Sequence, residues 1–388
     1  MPMDIGDLLP HDYARVHQAA TESEAMFVQR VLDEAGIPAV VRSRQVPGYA
    51  EIIRGAIGYW GDVLVAVDDR ERAEAHLGTY LRMMKGALGV ARFAGIIPPL
   101  VTLFDQTGRI DDEANERHVD VVIDSGVHGL FAMGSTGEVM HLSADERRRC
   151  AELVVRKVDG RVPVLIGCAS TSTEEAVSFA RHAQSIGADG VVVLPPYYWA
   201  PNDAAIEAHI GAVAEAVELP VIIYNFPAVV GTNISPVLVA GIATAHENVV
   251  GIKDTIDSIA HIQEVIDRVK PIKPEFSVLC GTEFHLLNTL LSGGDGAIPA
   301  VANFAPQLPV QVYEAFRQGR IADAAAAMRS RLGLAALYQL DAPFFVVVKE
   351  AMVMLGRIPH ATVRRPAGPL TDADRTRLRE MLVEAGLL

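Results

Sequence analysis

The sequence predicts an α/β protein: a (β/α)8 barrel that follows a small α+β domain and ends in a C-terminal helical appendix. Eight short apolar segments alternate with helix-like segments from residue 91 onward. Near-continuous apolar strands are typical of a parallel sheet that is buried on both faces, as in such a barrel. A doubly wound open sheet is the alternative, but no GxGxxG motif follows the first apolar segment, and a count of eight favours the barrel.

The order of these segments predicts three regions. Residues 91–318 form the barrel, and residues 319–388 form the appendix, with helices at about 321–337, 342–355 and 371–385. The eight barrel strands are predicted at residues 93–97, 129–133, 162–167, 190–195, 220–225, 249–253, 276–280 and 296–300.

The first region, residues 1–90, reads strand, helix, strand, strand, helix, with residues 85–89 as the joint to the barrel. This order resembles the short ferredoxin-like modules thought to act in signal transduction. No catalytic constellation is found in it. His17 is interpreted as a structural histidine, and Tyr59 with Trp60 as packing rather than an interface patch.

Composition excludes several classes of partner. The formal net charge of −14 argues against nucleic acid and anionic membranes. No basic leader precedes an apolar segment, and no apolar run reaches the length of a membrane span, so we expect a cytoplasmic protein. The three cysteines, Cys150, Cys168 and Cys280, are widely spaced without a CxxC pair, which predicts buried thiols rather than a disulfide or metal site.

Two of the six lysines, Lys253 and Lys349, lie at the end of apolar runs. An ammonium among apolar side chains loses hydration, so its pKa falls and a neutral amine becomes available for Schiff-base chemistry. The alternative for Lys253 is a strand-end lysine whose ammonium extends to water. Lys349 lies in a helix-like run beside Glu350, which favours a structural role there.

Polar residues at other strand ends are expected beside Lys253, because the carboxyl ends of barrel strands meet at one face. Tyr224 ends the strand before that of Lys253, so its phenol can relay protons between the amine and a substrate hydroxyl. The run Gly134, Ser135, Thr136, Gly137 follows the second strand. Its backbone N–H groups could bind a carboxylate. The alternative is that the same residues form only a structural Gly/Ser turn.

Residues 92–388 resemble the dihydrodipicolinate synthase and N-acetylneuraminate lyase family of class I aldolases. The resemblance rests on GSTGE at 134–138, PPYY at 195–198, YNFPAVVG at 224–231 and GIKDT at 251–255, in order and at the expected strand ends. Together with GIKDTIDSIAH and LLSGGDGAI, the run YNFPAVVG is most similar to the branch that holds 2-keto-3-deoxygluconate aldolases.

The resemblance implies that Lys253 forms a Schiff base with a 2-oxo acid and that Tyr224 shuttles protons. Ser135 and Thr136 are implied to hold the pyruvate carboxylate. No cofactor other than the covalent Schiff base, and no metal, is implied.

Two further residues take implied roles. Tyr198 matches a family tyrosine that reaches into the neighbouring subunit and completes a proton relay with Tyr224 and a hydroxyl of the Ser/Thr pair, here Thr136. Ile298 matches a position whose backbone carbonyl faces the substrate. The implied assembly is a homotetramer built from tight dimers.

Three departures bear on the substrate. Val229 stands where the synthases have the arginine that grips the carboxylate of aspartate semialdehyde, which disfavours lysine biosynthesis. Thr282 and Glu283 stand where the lyases bind sugar hydroxyls, which suits a polyhydroxy aldehyde. Ala300 replaces a serine of the sialic-acid lyases.

Three functions therefore remain open from the sequence. The first is cleavage of a 2-keto-3-deoxy sugar acid, such as 2-keto-3-deoxygluconate, to pyruvate and an aldehyde. The second uses the same lysine as a dihydrodipicolinate synthase or a sugar-acid dehydratase. The third is a sensor or scaffold whose barrel only binds a 2-oxo acid. A barrel without catalytic activity would not need Lys253 and Tyr224 together.

Overall fold

The computed structural model describes residues 12–19, 22–43, 61–77, 92–329 and 332–388. The chain divides into two compact units, one of Met1–Gly89 with Leu291–Gly293 and the other of Val90–Leu290 with Gly294–Leu388. Tyr59, Trp60 and the predicted joint at 85–89 lie outside the described residues.

The first unit contains a three-stranded antiparallel sheet in the order β1-β3-β2. Its elements are β1 (Tyr13–Ala19), helix α1 (Glu22–Glu34), β2 (Ala39–Ser43) and β3 (Gly61–Ala66), followed by a 3-10 turn (Val67–Asp69) that leads into helical residues 70–77. Apolar residues of α1, among them Val28 and Leu32, pack with Val63 and Val65 of β3. Alternation in the central strand and helical spacing in α1 thus produce one small core. His17 lies on β1 and is partly buried.

The second unit is a barrel of eight parallel strands, which confirms the predicted fold class. Hydrogen-bonded neighbours run β4-β11-β10-β9-β8-β7-β6-β5, and a parallel bridge between Pro99 and Phe131 joins the two ends of this sheet. The strands are β4 (Gly95–Ile96), β5 (Leu130–Ala132), β6 (Val164–Gly167), β7 (Gly190–Val193), β8 (Val221–Asn225), β9 (Val249–Asp254), β10 (Ser277–Cys280) and β11 (Gly296–Ala297).

Seven of the eight barrel strands are shorter than predicted, and β4 and β11 are shortened most, to two residues each. β4 is followed by Pro98 and Pro99, and β11 is followed by Pro299. Proline lacks the backbone N–H that a central strand must donate, so each proline ends regular pairing early.

Polar caps set the starts of the barrel helices, and therefore the lengths of the loops at the catalytic face. Ser143 and Glu146 form a complete capping box, and the side chains of Asp111, Ser172 and Asn202 cap three others. The helices are α2 (Asp112–Asp124), α3 (Ala144–Val158), α4 (Thr173–Ser185), α5 (Asp203–Ala216), α6 (Pro227–Val230), α7 (Pro236–Ala245), α8 (Ile259–Val269), α9 (Leu286–Leu291) and α10 (Gln307–Arg317).

The C-terminal appendix consists of α11 (Ile321–Arg329), a 3-10 segment (Leu332–Gln339), α12 (Phe344–Met354) and α13 (Asp372–Glu384). The helix predicted at 321–337 is wrong in its second half, where Gly333 has poor helix propensity and the chain takes the 3-10 form. Buried residues of α12, such as Val346 and Met352, pack against Phe304 and Leu378. Within the described ranges, no helix combines the length and the apolarity needed to cross a membrane.

Candidate active site

Lys253 and Tyr224 meet inside the barrel at the carboxyl ends of adjacent strands. The parallel register pairs Tyr224 of β8 with Lys253 of β9. Both side chains lie on the inner face of their strands, and Lys253 Nζ donates a hydrogen bond of 2.9 Å to Tyr224 Oη. The structure thus brings the two principal residues predicted from the sequence into direct contact.

The environment of Lys253 favours its neutral amine. The side chain is buried, and Nζ lies 4.1 Å from the centre of the Tyr224 ring and 4.9 Å from that of Phe131. Burial lowers the pKa of the Lys253 ammonium, although the charge and hydrogen bond of Tyr224 act in the opposite direction. A lower pKa favours the neutral, nucleophilic form of this amine.

The Gly-Ser-Thr-Gly run extends the hydrogen-bonded chain. Ser135–Gly137 forms a 3-10 turn after β5, and Ser135 Oγ lies 3.3 Å from Tyr224 Oη. A Cβ atom at Gly134 would lie 2.6 Å from the Phe131 ring, so only glycine allows the turn to approach that closely. A continuous relay therefore joins Ser135, Tyr224 and Lys253.

A second network holds the opposite faces of the same two strands. Asn225 Nδ2 donates to Asp254 Oδ1 at 2.9 Å, and Asp254 Oδ2 is hydrogen-bonded to His261 Nδ1 at 2.8 Å. His261 Nε2 in turn lies 3.0 Å from the carbonyl oxygen of Ile234. Burial alone would lower the pKa of His261, but the hydrogen bond and charge of Asp254 outweigh it and raise the pKa. The charged contact holds β8 and β9, and therefore Tyr224 and Lys253, in register.

A cavity of about 440 Å³ lies above the relay. Four residues predicted to bind substrate line it, namely Thr136, Val229, Thr282 and Ile298. The remaining lining residues are Pro99, Tyr224, Phe226, Ala228, Lys253, Thr255, Ile256, Asp257, Gly281, Phe284, Ala300, Tyr338, Ala342, Pro343 and Phe344. The volume suits a small organic acid rather than a polymer.

Two threonines in the cavity wall have buried hydroxyl groups. Oγ1 of Thr255 and of Thr282 are buried, and neither has a hydrogen-bond partner among the described residues. A Cβ atom at Gly281 would lie 1.8 Å from Thr255 Oγ1, so glycine at 281 gives this hydroxyl its position. A buried hydroxyl without a hydrogen-bond partner is costly to stability.

Other predicted residues lie outside the cavity wall. Tyr198 is 99% exposed, with a left-handed backbone at φ 87°. Glu283 is not among the lining residues, and its Oε1 accepts a hydrogen bond of 2.8 Å from the hydroxyl of Tyr338, which does line the cavity. Burial raises the pKa of the Glu283 carboxyl to about 7. Gly134 and Gly137 bound the 3-10 turn and are not among the residues that line the cavity.

Comparison with known proteins identifies the family. The sequence profile of the Dihydrodipicolinate synthetase family matches residues 92–385. The chain belongs to this family. The match spans both the barrel and the C-terminal appendix and leaves residues 1–91 outside the family's extent.

Family members with curated names cover the same part of the chain. The putative 2-dehydro-3-deoxy-D-gluconate aldolase YagE of Escherichia coli K12 is 46% identical over 297 residues, which span 76% of this chain and 98% of YagE. The probable 2-dehydro-3-deoxy-D-pentonate aldolase YjhH of the same organism is 44% identical over 300 residues, spanning 76% of this chain and 99% of YjhH.

Solved structures of the family share the fold. YagE in complex with pyruvate gives a TM-score of 0.75 at 45% identity and covers 77% of this chain and 100% of YagE. The dihydrodipicolinate synthase of Thermotoga maritima gives a TM-score of 0.73 at 32% identity, covering 76% of this chain and 99% of that enzyme.

Sequence reasoning missed two parts of this family site. Thr255 could have been predicted from the sequence, because it lies two residues after Lys253 and residues i and i+2 of a strand share a face. The C-terminal wall, made by Tyr338, Ala342, Pro343 and Phe344, carries no local signal in the sequence. Only the packing of the appendix places it over the cavity.

Proposed function

We propose that this protein is a pyruvate-dependent class I aldolase that cleaves a 2-keto-3-deoxy sugar acid, such as 2-keto-3-deoxygluconate, into pyruvate and an aldehyde. The observation that carries the proposal is the buried relay of Lys253, Tyr224 and Ser135 beneath the cavity. The names of YagE and YjhH, which are 46% and 44% identical, support the substrate class.

The pyruvate half of the substrate binds at the Ser135–Gly137 turn. The N–H groups of Gly137 and Glu138 are used within the turn, where they donate to the carbonyl oxygens of Gly134 and Ser135. The N–H groups of Ser135 and Thr136 stand at its start, where a 3-10 or α-helical turn leaves N–H groups for ligands. They and the Thr136 hydroxyl hold the substrate carboxylate beside Lys253.

Cleavage proceeds through an iminium on Lys253. The neutral amine attacks the C2 ketone, and the carbinolamine loses water to form the iminium, with Tyr224 passing the protons. Tyr224, which has given its own proton to the departing water, then removes the C4 hydroxyl proton, and the electrons of the C3–C4 bond pass into the iminium to give an enamine. The aldehyde leaves, protonation at C3 regenerates the iminium, and water releases pyruvate with the free amine. The iminium is the electron sink of this reaction.

The walls of the cavity favour a hydroxylated aldehyde over aspartate semialdehyde. Thr255 and Thr282 offer hydroxyls without partners, whereas Val229 is apolar. Among the described lining residues, Lys253 is the sole cation, so the second carboxylate of the synthase substrate finds no partner. A sugar acid brings only hydroxyl groups to this end of the cavity.

Pyruvate release from 2-keto-3-deoxygluconate, measured with a coupled lactate dehydrogenase, tests the proposal. We expect release that depends on enzyme concentration. Protein that still traps pyruvate after reduction but releases none from the sugar acid would contradict the aldolase function. Loss of water without pyruvate would then identify a dehydratase, and turnover with aspartate semialdehyde would identify a synthase.

The two free hydroxyls give a separate prediction. In a Thr255→Val, Thr282→Val double variant we expect KM for the sugar acid to rise about 10-fold or more, since two hydrogen bonds are lost. Half-saturation by pyruvate alone should stay unchanged, because pyruvate lacks the distal hydroxyls. Thr289→Val, which removes a buried threonine hydroxyl outside the cavity lining, is the control. Equal KM in the wild type and the double variant would refute this subsite.

The proposal extends to the whole chain. Residues 91–318 are the catalytic barrel, residues 319–388 complete its site, and residues 1–90 form a separate module. The proposed assembly is a cytoplasmic homotetramer of tight dimers, in which Tyr198 reaches the neighbouring subunit. The exposed neighbours Tyr198 and Trp199, at 99% and 57%, support a contact surface at this loop.

A further inference from the structure

A second buried lysine, Lys349, forms an ion pair with Glu138 immediately beyond the carboxylate-binding turn. Lys349 Nζ donates to Glu138 Oε1, and both residues are fully buried. Glu350, the neighbour of Lys349 in sequence, is instead approached by Arg375 at 3.4 Å. Two buried side chains both stay ionised only when each is paired with the opposite charge of the other.

The pair joins the turn to the appendix. Glu138 follows the turn directly, with a left-handed backbone at φ 56°, and its Oε2 accepts the backbone N–H of Arg364 at 3.0 Å. Lys349 also donates to the carbonyl oxygen of Thr362 at 2.9 Å. Its helix, α12, packs on the turn, and Phe344 at the start of that helix lines the cavity. One ion pair therefore holds two walls of the same cavity.

Two other basic side chains, Arg364 and His141, lie near Glu138, and the guanidinium of Arg364 has a partner of its own. The guanidinium of Arg364 donates two hydrogen bonds to Glu146, at 2.6 and 2.8 Å, and another to the carbonyl oxygen of Gly108 at 3.0 Å. His141 Nδ1 lies 3.3 Å from Glu138 Oε2. The Glu138 carboxylate is therefore in direct contact with two basic side chains, Lys349 at Oε1 and His141 at Oε2.

The partners of the two buried lysines also explain their different chemistry. Lys253 faces a phenol, whereas Lys349 faces a carboxylate that stabilises its charged form. Burial lowers the pKa of Lys349 to about 8 against the opposing effect of Glu138, so this amine remains largely protonated at neutral pH. A protonated amine is not a nucleophile, which leaves Lys349 an electrostatic role.

We infer that Lys349 is a positioning residue for the proposed aldolase reaction: it neutralises Glu138, so that the adjoining turn can accept the substrate carboxylate. Without Lys349, the charge of Glu138 would repel a carboxylate bound at Ser135 and Thr136 through a poorly screened interior. The inference rests on the proposed function, because it takes the turn as the carboxylate site.

Trapping of pyruvate by cyanoborohydride, followed by the mass of the intact protein over a range of pyruvate concentrations, tests the inference. We expect Lys349→Met to raise the half-saturating concentration about 10-fold, with the same final extent of labelling. Glu138→Gln breaks the same ion pair but removes the repelling charge, so its half-saturation should stay within about 3-fold of wild type. In the Lys349→Met, Glu138→Gln double variant, the half-saturating pyruvate concentration should also lie within about 3-fold of wild type.

The asymmetry between the two single variants separates this role from plain structural support. Support alone predicts that both variants weaken pyruvate binding equally, or that the double variant does not recover, and either outcome overturns the inference. The double variant replaces the pair by uncharged groups of similar shape and keeps the test possible where Lys349→Met does not fold.

A matched control is available in the same barrel. Lys270, which is partly buried, forms an ion pair with the buried Asp295, and neither residue lines the cavity. Lys270→Met should lower the melting temperature without changing half-saturation by pyruvate. An increase in half-saturation equal to that of Lys349→Met would count against the inference. Wild-type protein that traps no pyruvate would instead refute the proposed function.

Discussion

Replacement of Lys253 by alanine is expected to abolish both pyruvate release from 2-keto-3-deoxygluconate and trapping of pyruvate by cyanoborohydride. In the proposed mechanism the amine forms the covalent bond, and the variant retains no nucleophile at this position. Lys253 is buried against Tyr224 and Phe131, so no exposed lysine can replace it from the solvent. Peptide mapping of the labelled wild-type protein should place the pyruvate-derived mass on Lys253.

Lys273→Ala is the matched control for this experiment. Burial also lowers the pKa of Lys273, but its ammonium binds backbone carbonyl oxygens, among them those of Glu247 and Val249, beside the amino end of β9. This variant should still be labelled. Labelling of the Lys253→Ala protein, or wild-type labelling at another lysine, would contradict the mechanism.

Replacement of Tyr224 by phenylalanine is expected to lower kcat for cleavage by about 10²–10⁴-fold, the usual contribution of a general acid–base group. Phenylalanine keeps the ring contacts with Phe131 and Phe226 but removes the hydroxyl that joins Lys253 to Ser135. Trapping of pyruvate should survive at a reduced rate, because the nucleophile is still present.

The pH dependence of this variant gives a second readout. Tyr224 raises the pKa of Lys253 against the effect of burial, so removing the phenol should lower that pKa further. The neutral amine exists above its pKa, and the rate of trapping therefore rises with pH through that value. In Tyr224→Phe the rise should move to lower pH than in wild type.

Tyr313→Phe serves as the control. Tyr313 belongs to the outer helix α10, is as buried as Tyr224, and packs against His128. This variant should leave kcat and the pH profile unchanged. A Tyr224→Phe enzyme with wild-type kcat would show that another group carries the protons, and an unmoved pH profile would show that the phenol does not act on Lys253.

The sequence alone was sufficient to predict the barrel and the meeting of Lys253 with Tyr224. Strands such as β8 and β9 are apolar runs bounded by turn residues, and this pattern follows from burial on both faces. Lys253 and Tyr224 could be paired because parallel strands that follow each other in the chain lie side by side, with their carboxyl ends at the same face. Both inferences depend on local pattern and on a general rule of topology.

Only the tertiary structure decided which distant residues complete the cavity. Phe344 and Tyr338 lie far beyond the last strand in sequence, and no periodicity predicts that they cover Lys253. The pairing of Lys349 with Glu138 likewise joins residues more than two hundred positions apart, although Glu350 is the nearer candidate in sequence. Side-chain pairing of this kind depends on how helices pack on the barrel, because burial forces each charge to find whichever opposite charge the packing brings within reach.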